Sequence, residues 1–231
     1  RRSEALQDVP IAVSAFSQEA LKSSRLDSAA NLALQVPNLN YSQQLYGSSN
    51  FQIRGIGYSL VTTAGDQGVG VAENYAPIDR ARITDAEFYD VERVEVLRGP
   101  QGTLFGRNAS AGLINIISKA PENTFSAKGE ITYGNYDYWR LSGRVTGPVS
   151  DSIALALDGV WSKRDGFYKL VDGAGETVGD TNDRDRYFLR GQLLFEPTDA
   201  LSIRLIADYT YRNEKCCGAI YVDNSVNPYI G

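Results

Sequence analysis

Between Phe125 and Arg212 apolar and polar side chains alternate with a period of two, and the pattern returns on five successive segments. Only extended chain places every second residue on one face, so this stretch is committed to β-strands. On the first strand Phe125, Ala127, Gly129, Ile131 and Tyr133 oppose Ser126, Lys128, Glu130 and Thr132. On the second, Leu141, Gly143 and Val145 oppose Arg140, Ser142, Arg144 and Thr146; on the third, Ile153, Leu155, Leu157 and Trp161 oppose Ala154, Ala156 and Asp158. The fourth sets Tyr187, Leu189, Leu193 and Phe195 against Arg190, Gln192 and Glu196. The fifth sets Leu201, Ile203, Leu205, Ala207, Tyr209 and Tyr211 against Ser202, Arg204, Asp208 and Arg212. One face of the sheet is therefore apolar, and the other is polar or small. Two architectures share that pattern: a soluble β-rich module, which hides its apolar face against a second sheet, and a transmembrane barrel, which shows it to lipid around a wet lumen.

The connections favour the barrel. Only Gly147-Pro148-Val149-Ser150-Asp151 joins the second strand to the third, and only Pro197-Thr198-Asp199-Ala200 joins the fourth to the fifth. By contrast, polar, Gly-rich chain from Lys163 to Arg184 links the third strand to the fourth, and another long segment follows Asn213. Tight turns thus share one end of the sheet and long loops the other, as in outer-membrane barrels; the short hairpin at Asn135 to Asp137 is a partial exception. Tyr133, Tyr136, Tyr138, Trp139 and Trp161 near strand ends suit an interfacial aromatic girdle. No apolar run reaches the roughly 18 residues that a membrane-spanning helix needs, a criterion to which barrel strands are invisible.

Composition narrows the chemistry. There is no histidine, and the two cysteines are the neighbours Cys216 and Cys217, so ordinary catalytic triads and most zinc sites are excluded and no cofactor or metal is expected. A net charge of -5 with both signs interspersed forms no basic stripe for nucleic acid. The dinucleotide fingerprint is incomplete, since Leu60 and Glu73 stand where a third glycine would follow Gly55-Ile56-Gly57 and Gly68-Val69-Gly70.

Upstream of residue 122 the texture differs. Val9 to Phe16 reads as a strand, and a short helix capped by Asp27 or Ser28 places Ala29, Leu32, Ala33 and Val36 on one face before Pro37 ends it. Further short strands are expected at Phe51 to Arg54, Val91 to Leu97 and Leu113 to Ile117, joined by Gly-rich connections. The whole reads as an α+β domain over residues 1 to 121, followed over residues 122 to 231 by about five antiparallel strands of an incomplete transmembrane β-barrel.

Residues 90 to 119 read DVERVEVLRGPQGTLFGRNASAGLINIISK. This segment resembles the distal plug motif of TonB-dependent outer-membrane receptors, in which a strand ending in V-E-V-L-R-G-P turns through glycines and returns as a second strand. Val9 to Val13 and Asn50 to Gly57 are similar to the plug's opening motifs, in the family's order. Gly99, Gly102, Gly106 and Gly112 permit tight folding and Pro100 stiffens the turn. Gly55 closes the motif around Arg54. Arg93, Glu95 and Arg98 stand where a plug meets a barrel wall, and the resemblance implies that Arg54 and Arg98 pair with glutamates on later barrel strands. After Val71 the family usually continues with a strand containing an Asp-Gly turn, whereas this chain has Ala72-Glu73-Asn74-Tyr75-Ala76-Pro77, so a rebuilt plug loop is expected there.

The resemblance further implies a barrel of about 22 strands, active import without an enzymatic step, and a TonB complex that pulls on a box preceding Arg1. The implied cargo is a ferric siderophore or another iron complex, with a carbohydrate or a cobalamin-like ligand as alternatives; a signalling receptor of the same architecture is a further one. Tyr46 and Tyr58, in plug loops, are the expected ligand contacts, and outer-membrane lipid is the expected surrounding of the barrel.

Overall fold

The computed structural model describes residues 12–24, 26, 29–43, 49–57, 68–78, 90–106, 108–172 and 175–215. The first half opens with β1 (Ala12–Ser17), α1 (Gln18–Ser23), α2 (Ala29–Leu32), β2 (Leu39–Gln43), β3 (Ser49–Ile53) and β4 (Ile56–Gly57). It continues with β5 (Val69–Glu73), β6 (Ala76–Ile78), β7 (Val91–Arg98), α3 (Gly102–Phe105) and β8 (Gly112–Ser118). Strands 1, 7, 8, 5 and 6 form one sheet in that order, with β5 and β8 parallel and the other pairs antiparallel. The central strand β8 is buried along its whole length. Ile114 and Ile116 face a core built with Val94, Val96, Val69, Val71, Leu32 and Ile53, while Leu113 turns to a second cluster with Ala72, Phe105 and Ala109. A strand covered on both faces needs this nearly continuous apolar run.

Two local features were not expected from the sequence. Helix α1 starts where the Ser17 hydroxyl accepts from Ala20 N at 3.3 Å, a cap that precedes only six residues. The Asn74-Tyr75 pair makes a two-residue hairpin between β5 and β6 with φ of 49° and 69°, the left-handed geometry that Asp-Gly would normally supply. Asn74 is held there because its Oδ1 accepts from Ser118 N and Oγ, both at 3.0 Å, while Tyr75 N donates to Asn115 Oδ1 at 3.3 Å.

Gly112 is required by close approach. A Cβ there would lie 2.4 Å from Leu97 O and 2.5 Å from Ile53 Cδ1, whereas nothing lies within 4 Å of one added at Gly102. Gly112→Ala is expected to destabilise this domain by about 1–3 kcal/mol. Gly102→Ala should change stability by less than about 0.5 kcal/mol. Urea unfolding of the protein in lipid, followed by amide exchange on β8, compares the two.

The second half is a wall of β9 (Ser126–Gly134), β10 (Tyr138–Ser150), β11 (Ile153–Arg164), β14 (Arg184–Thr198) and β15 (Leu201–Arg212), every neighbour antiparallel; β12 (Tyr168–Val171) and β13 (Thr177–Thr181) lie between β11 and β14. The two tight turns shrink to two residues, since Ser150 pairs with Ile153 and Thr198 with Leu201. At the opposite end the polar link from Lys163 to Arg184 is not simply loop. It contains the hairpin β12–β13, in which Tyr168 pairs with Thr181 and Lys169 with Asp180.

Burial in the wall is inverted relative to a soluble sheet. Ile131, Leu157 and Leu205 are 68%, 61% and 61% exposed, while Arg144, Asp158 and Arg190 are 3%, 1% and 4% exposed. The first domain covers the charged face, and among the described residues there is no second sheet over the apolar one of the kind the soluble-module alternative requires; apolar rows that project outward in this way suit lipid. On that outer face Trp161, Tyr187 and Tyr211 fall in one cross-strand row, with Tyr187 and Tyr211 stacked at 5.0 Å. Tyr133 and Trp139 pair beside them at 4.7 Å. Tyr138 and Tyr136 leave the expected girdle, the first because its register matches inward-facing Arg140, the second because it sits in the turn and meets Phe167 at 6.0 Å.

Candidate plug–wall interface

Strand register places five charged residues at one height across the inner face of the wall. Lys128 pairs with Arg144, Arg144 with Asp158, Asp158 with Arg190, and Arg190 with Asp208. From Arg144 onward the signs alternate, which favours neighbouring strands pairing in this register. Arg144 Nη1 lies 2.9 Å from Asp158 Oδ1, and Arg190 Nε lies 2.7 Å from Asp208 Oδ1.

The first domain inserts its own carboxylates into this belt. Asp90, in the turn before β7, brings Oδ2 to 2.6 Å from Arg144 Nη1, and Glu73, at the end of β5, forms an ion pair with Arg190. Arg144 Nη2 also donates to Ala120 O at 2.7 Å. Two inward-facing positions toward the tight turns, Arg204 Nη2 donates to Ser118 Oγ at 2.8 Å and to the carbonyls of Ser118 and Lys119 at 3.0 Å each. Gln192 joins the two groups, donating to Asp158 Oδ2 and to Lys119 O at 3.1 Å each and accepting from Arg204. A continuous polar path therefore runs from Gln18, which donates to Asp90 Oδ1 at 2.9 Å, through Asp90, Arg144, Asp158, Gln192, Arg204 and Ser118 to Asn74.

Burying charges this deeply is costly unless they are paired, and here Arg144 and Arg190 each find one carboxylate on the plug and one on the wall. Beside the belt a cleft of about 110 Å³, lined in part by Gln18, Lys22, Asp90, Lys128, Arg140 and Arg144, separates α1 from β9 and β10. In the link between the two halves, the Lys119 ammonium beside Glu122 holds its carboxyl below the usual carboxylate range. Among the described residues no group of three or more Cys, Asp or Glu could hold a metal ion.

Among the described residues, those singled out from the sequence are placed as follows. Arg54 and Gly55 form the two-residue turn between β3 and β4, with φ of 55° and 76°. The Arg54 side chain is exposed. Arg93 and Glu95 pair within the first domain at 2.7 Å; Arg93 also pairs with Glu92 and donates to Tyr75 Oη at 3.1 Å, and Glu95 accepts from Asn115 at 3.0 Å. Arg98 ends β7 opposite Ala12 and Gly112, with a buried Nε that has no hydrogen-bond partner among the described residues. Gly99 adopts φ 117° before Pro100 and donates to Ala111 O at 2.9 Å, and Gly102 and Gly106 bracket α3. Tyr46 and Tyr58, with Cys216 and Cys217, lie outside the described residues.

Sequence reasoning missed Glu73, Asp90 and Ser118 on one body and did not join them to Arg144, Asp158, Arg190 and Arg204 on the other. A signal was present: charged residues recur on the inward register of successive strands. Their alignment at one height, and the partners opposite them, follow only from the folded register.

Residues 5–113 match the family model described as the TonB-dependent receptor plug domain. The chain is 26% identical over 182 residues to the iron-regulated outer membrane virulence protein of Vibrio cholerae serotype O1, covering 71% of this chain and 26% of that protein. It is 24% identical over 208 residues to the ferric-pyoverdine 358 receptor of Pseudomonas putida, covering 90% of this chain and 24% of that one. The crystal structure of the ferric yersiniabactin uptake receptor from Yersinia pestis superimposes with a TM-score of 0.74 at 23% identity, over 87% of this chain and 31% of that one. The chain thus spans about a quarter of the length of these curated relatives.

Proposed function

We propose that this chain, which belongs to the TonB-dependent outer-membrane receptors, is the plug and the adjoining wall strands of a transporter that imports a ferric siderophore or a similar iron complex. The observation that carries this reading is the character of the plug–wall contact. Among the described residues the plug meets the wall through carboxylates, guanidinium groups and backbone carbonyls, with an adjacent cleft lined largely by polar side chains. An interface of that kind exchanges its protein partners for water on separation, so its net cost of opening is far below that of an apolar core of equal size. A plug docked in this way closes the lumen at rest and moves when pulled. The names of the relatives, which speak of iron regulation and of ferric pyoverdine, support iron as the cargo class.

The uptake reading is tested in cells that lack other iron receptors and express this one. Radioactive iron offered as siderophore complexes is expected to accumulate, and accumulation should stop when the proton gradient is collapsed or the TonB complex is deleted. Accumulation that persists without the gradient would sink the active-transport reading. Energised uptake of cobalamin or a sugar, with none of iron, would move the protein to another cargo while leaving its plug mechanics intact.

A further inference from the structure

We infer that a groove on the outer face of the wall, at its tight-turn end, holds one acyl chain of a phospholipid whose headgroup carries an ammonium. The groove, of about 620 Å³, is lined in part by Phe125, Val145, Gly147, Leu155, Leu157 and Gly191. Register explains its shape. Gly147 stands opposite Leu155, and Gly191 stands between Leu157 and Ala207, so two gaps open in a surface of branched apolar side chains. The Phe125 ring walls the first gap, since a Cβ at Gly147 would lie 3.3 Å from Phe125 Cδ2. The second gap is empty, because a Cβ at Gly191 would meet nothing within 4 Å. From Pro148 to Val145 the groove follows β10 for about 10 Å, a large part of the roughly 15 Å that one leaflet's hydrocarbon occupies.

Position and charge together select the occupant. Further strands of a barrel join the sheet at its edges, β9 and β15, and leave its outer face bare to the bilayer. In hydrocarbon a groove left empty forfeits its dispersion contacts, and a chain lying in it restores them. A chain that enters here brings its headgroup to the tight turns, where Asp151 and Asp199 are both exposed and Glu196 precedes the second turn. Residues 148–153 and 196–201 include no Lys or Arg. Such a rim repels a headgroup whose only charge is its phosphate and attracts one that also carries an ammonium. It also disfavours a second copy of the chain, because two walls packed side by side in one membrane would bring their acidic turns together. The inference rests on the lipid-facing wall and is independent of the cargo.

The experiment uses the whole receptor, purified in detergent and mixed with equal amounts of phosphatidylethanolamine and phosphatidylglycerol of identical acyl chains. Native mass spectrometry reads the bound lipid and the oligomeric state together. The wild type is expected to retain phosphatidylethanolamine over phosphatidylglycerol by about fivefold. Gly191→Leu, which fills the empty gap, should remove that lipid. Asp151→Asn/Asp199→Asn should keep a bound lipid and erase the headgroup preference, and heat-modifiable migration checks that every variant is a folded barrel. Equal retention of the two lipids by wild type, or a preferred lipid that survives Gly191→Leu, overturns the site. A preference that persists without the two aspartates overturns the ammonium assignment, and a dimer that Gly191→Leu dissociates replaces the lipid by a second copy of the receptor.

Discussion

Arg144→Met in the outer-membrane receptor is expected to loosen the plug from the wall by about 3–5 kcal/mol, a hundredfold or greater rise in the undocked population. The reason is what the substitution leaves behind. Asp90 and Asp158 both lean on this one guanidinium, at 2.6 and 2.9 Å, and Asp158 is 1% exposed, so a neutral side chain strands two carboxylates out of water. Amide exchange on β7 and β8 should accelerate, and cells should admit a large hydrophilic antibiotic that the closed lumen excludes. Removing all three charges together, with Asp90→Leu and Asp158→Leu added, should recover much of the loss, because no uncompensated group remains. Arg93→Met is the contrast: its partners Glu92 and Glu95 lie on the same strand in a half-exposed setting, and its loss should cost no more than about 1 kcal/mol. If Arg144→Met exchanges no faster than Arg93→Met, the belt does not dock the plug.

Leu157→Arg is expected to destabilise the wall in a lipid bilayer by about 2–4 kcal/mol. Leu157 projects from the middle of β11 and is 61% exposed, which in water would make it a tolerant position. Lipid reverses that expectation, because a guanidinium near the bilayer midplane must shed its hydration. Val178, 65% exposed on the hairpin beyond the wall strands, supplies the comparison, and Val178→Arg should change stability by less than about 0.5 kcal/mol. Reversible unfolding of the receptor from vesicles by denaturant measures both. Equal costs at the two positions would mean that the exposed apolar rows do not face lipid.

The wall was legible because a period of two, sustained over long segments, has one structural solution. Its faces, strand order and tight turns all follow from that period and from the positions of Pro, Asp and Gly. The hairpin β12–β13 escaped because strands of four and five residues in Asp- and Gly-rich surroundings carry too few alternations to outweigh composition. Helix α1 escaped for a similar reason, being six residues long and recognisable only by the Ser17 cap. In the plug, β7 and β8 could be read from their apolar runs, while β2 and β6 are short edge strands, each paired only with the next or preceding strand in the chain, and carry too little pattern of their own. The Asn74-Tyr75 turn replaced the familiar Asp-Gly pair, and what fixes it is Ser118, 44 residues later.

The belt shows where one-dimensional reading stops. Lys128, Arg144, Asp158, Arg190 and Asp208 could each be assigned to the wet face, but the partner of a charge is a property of register. Asp90 shows the same limit on the plug side. In the sequence it is one acid before a strand; in the fold, a φ of 40° turns it toward the wall.

That row of charges also acts as a vernier for assembly. A slip of two residues between neighbouring strands keeps every apolar side chain facing lipid, so hydrophobicity alone cannot reject it. Charge can. Sliding β10 along β11 by two would set Arg144 against Ala156 or Val160, and sliding β14 along β15 would set Arg190 against Ile206 or Thr210, in place of the aspartates that now stand there. Each misalignment isolates a cation on the face the plug must cover, and the correct alignment is the one that sets Arg144 and Arg190 against aspartates.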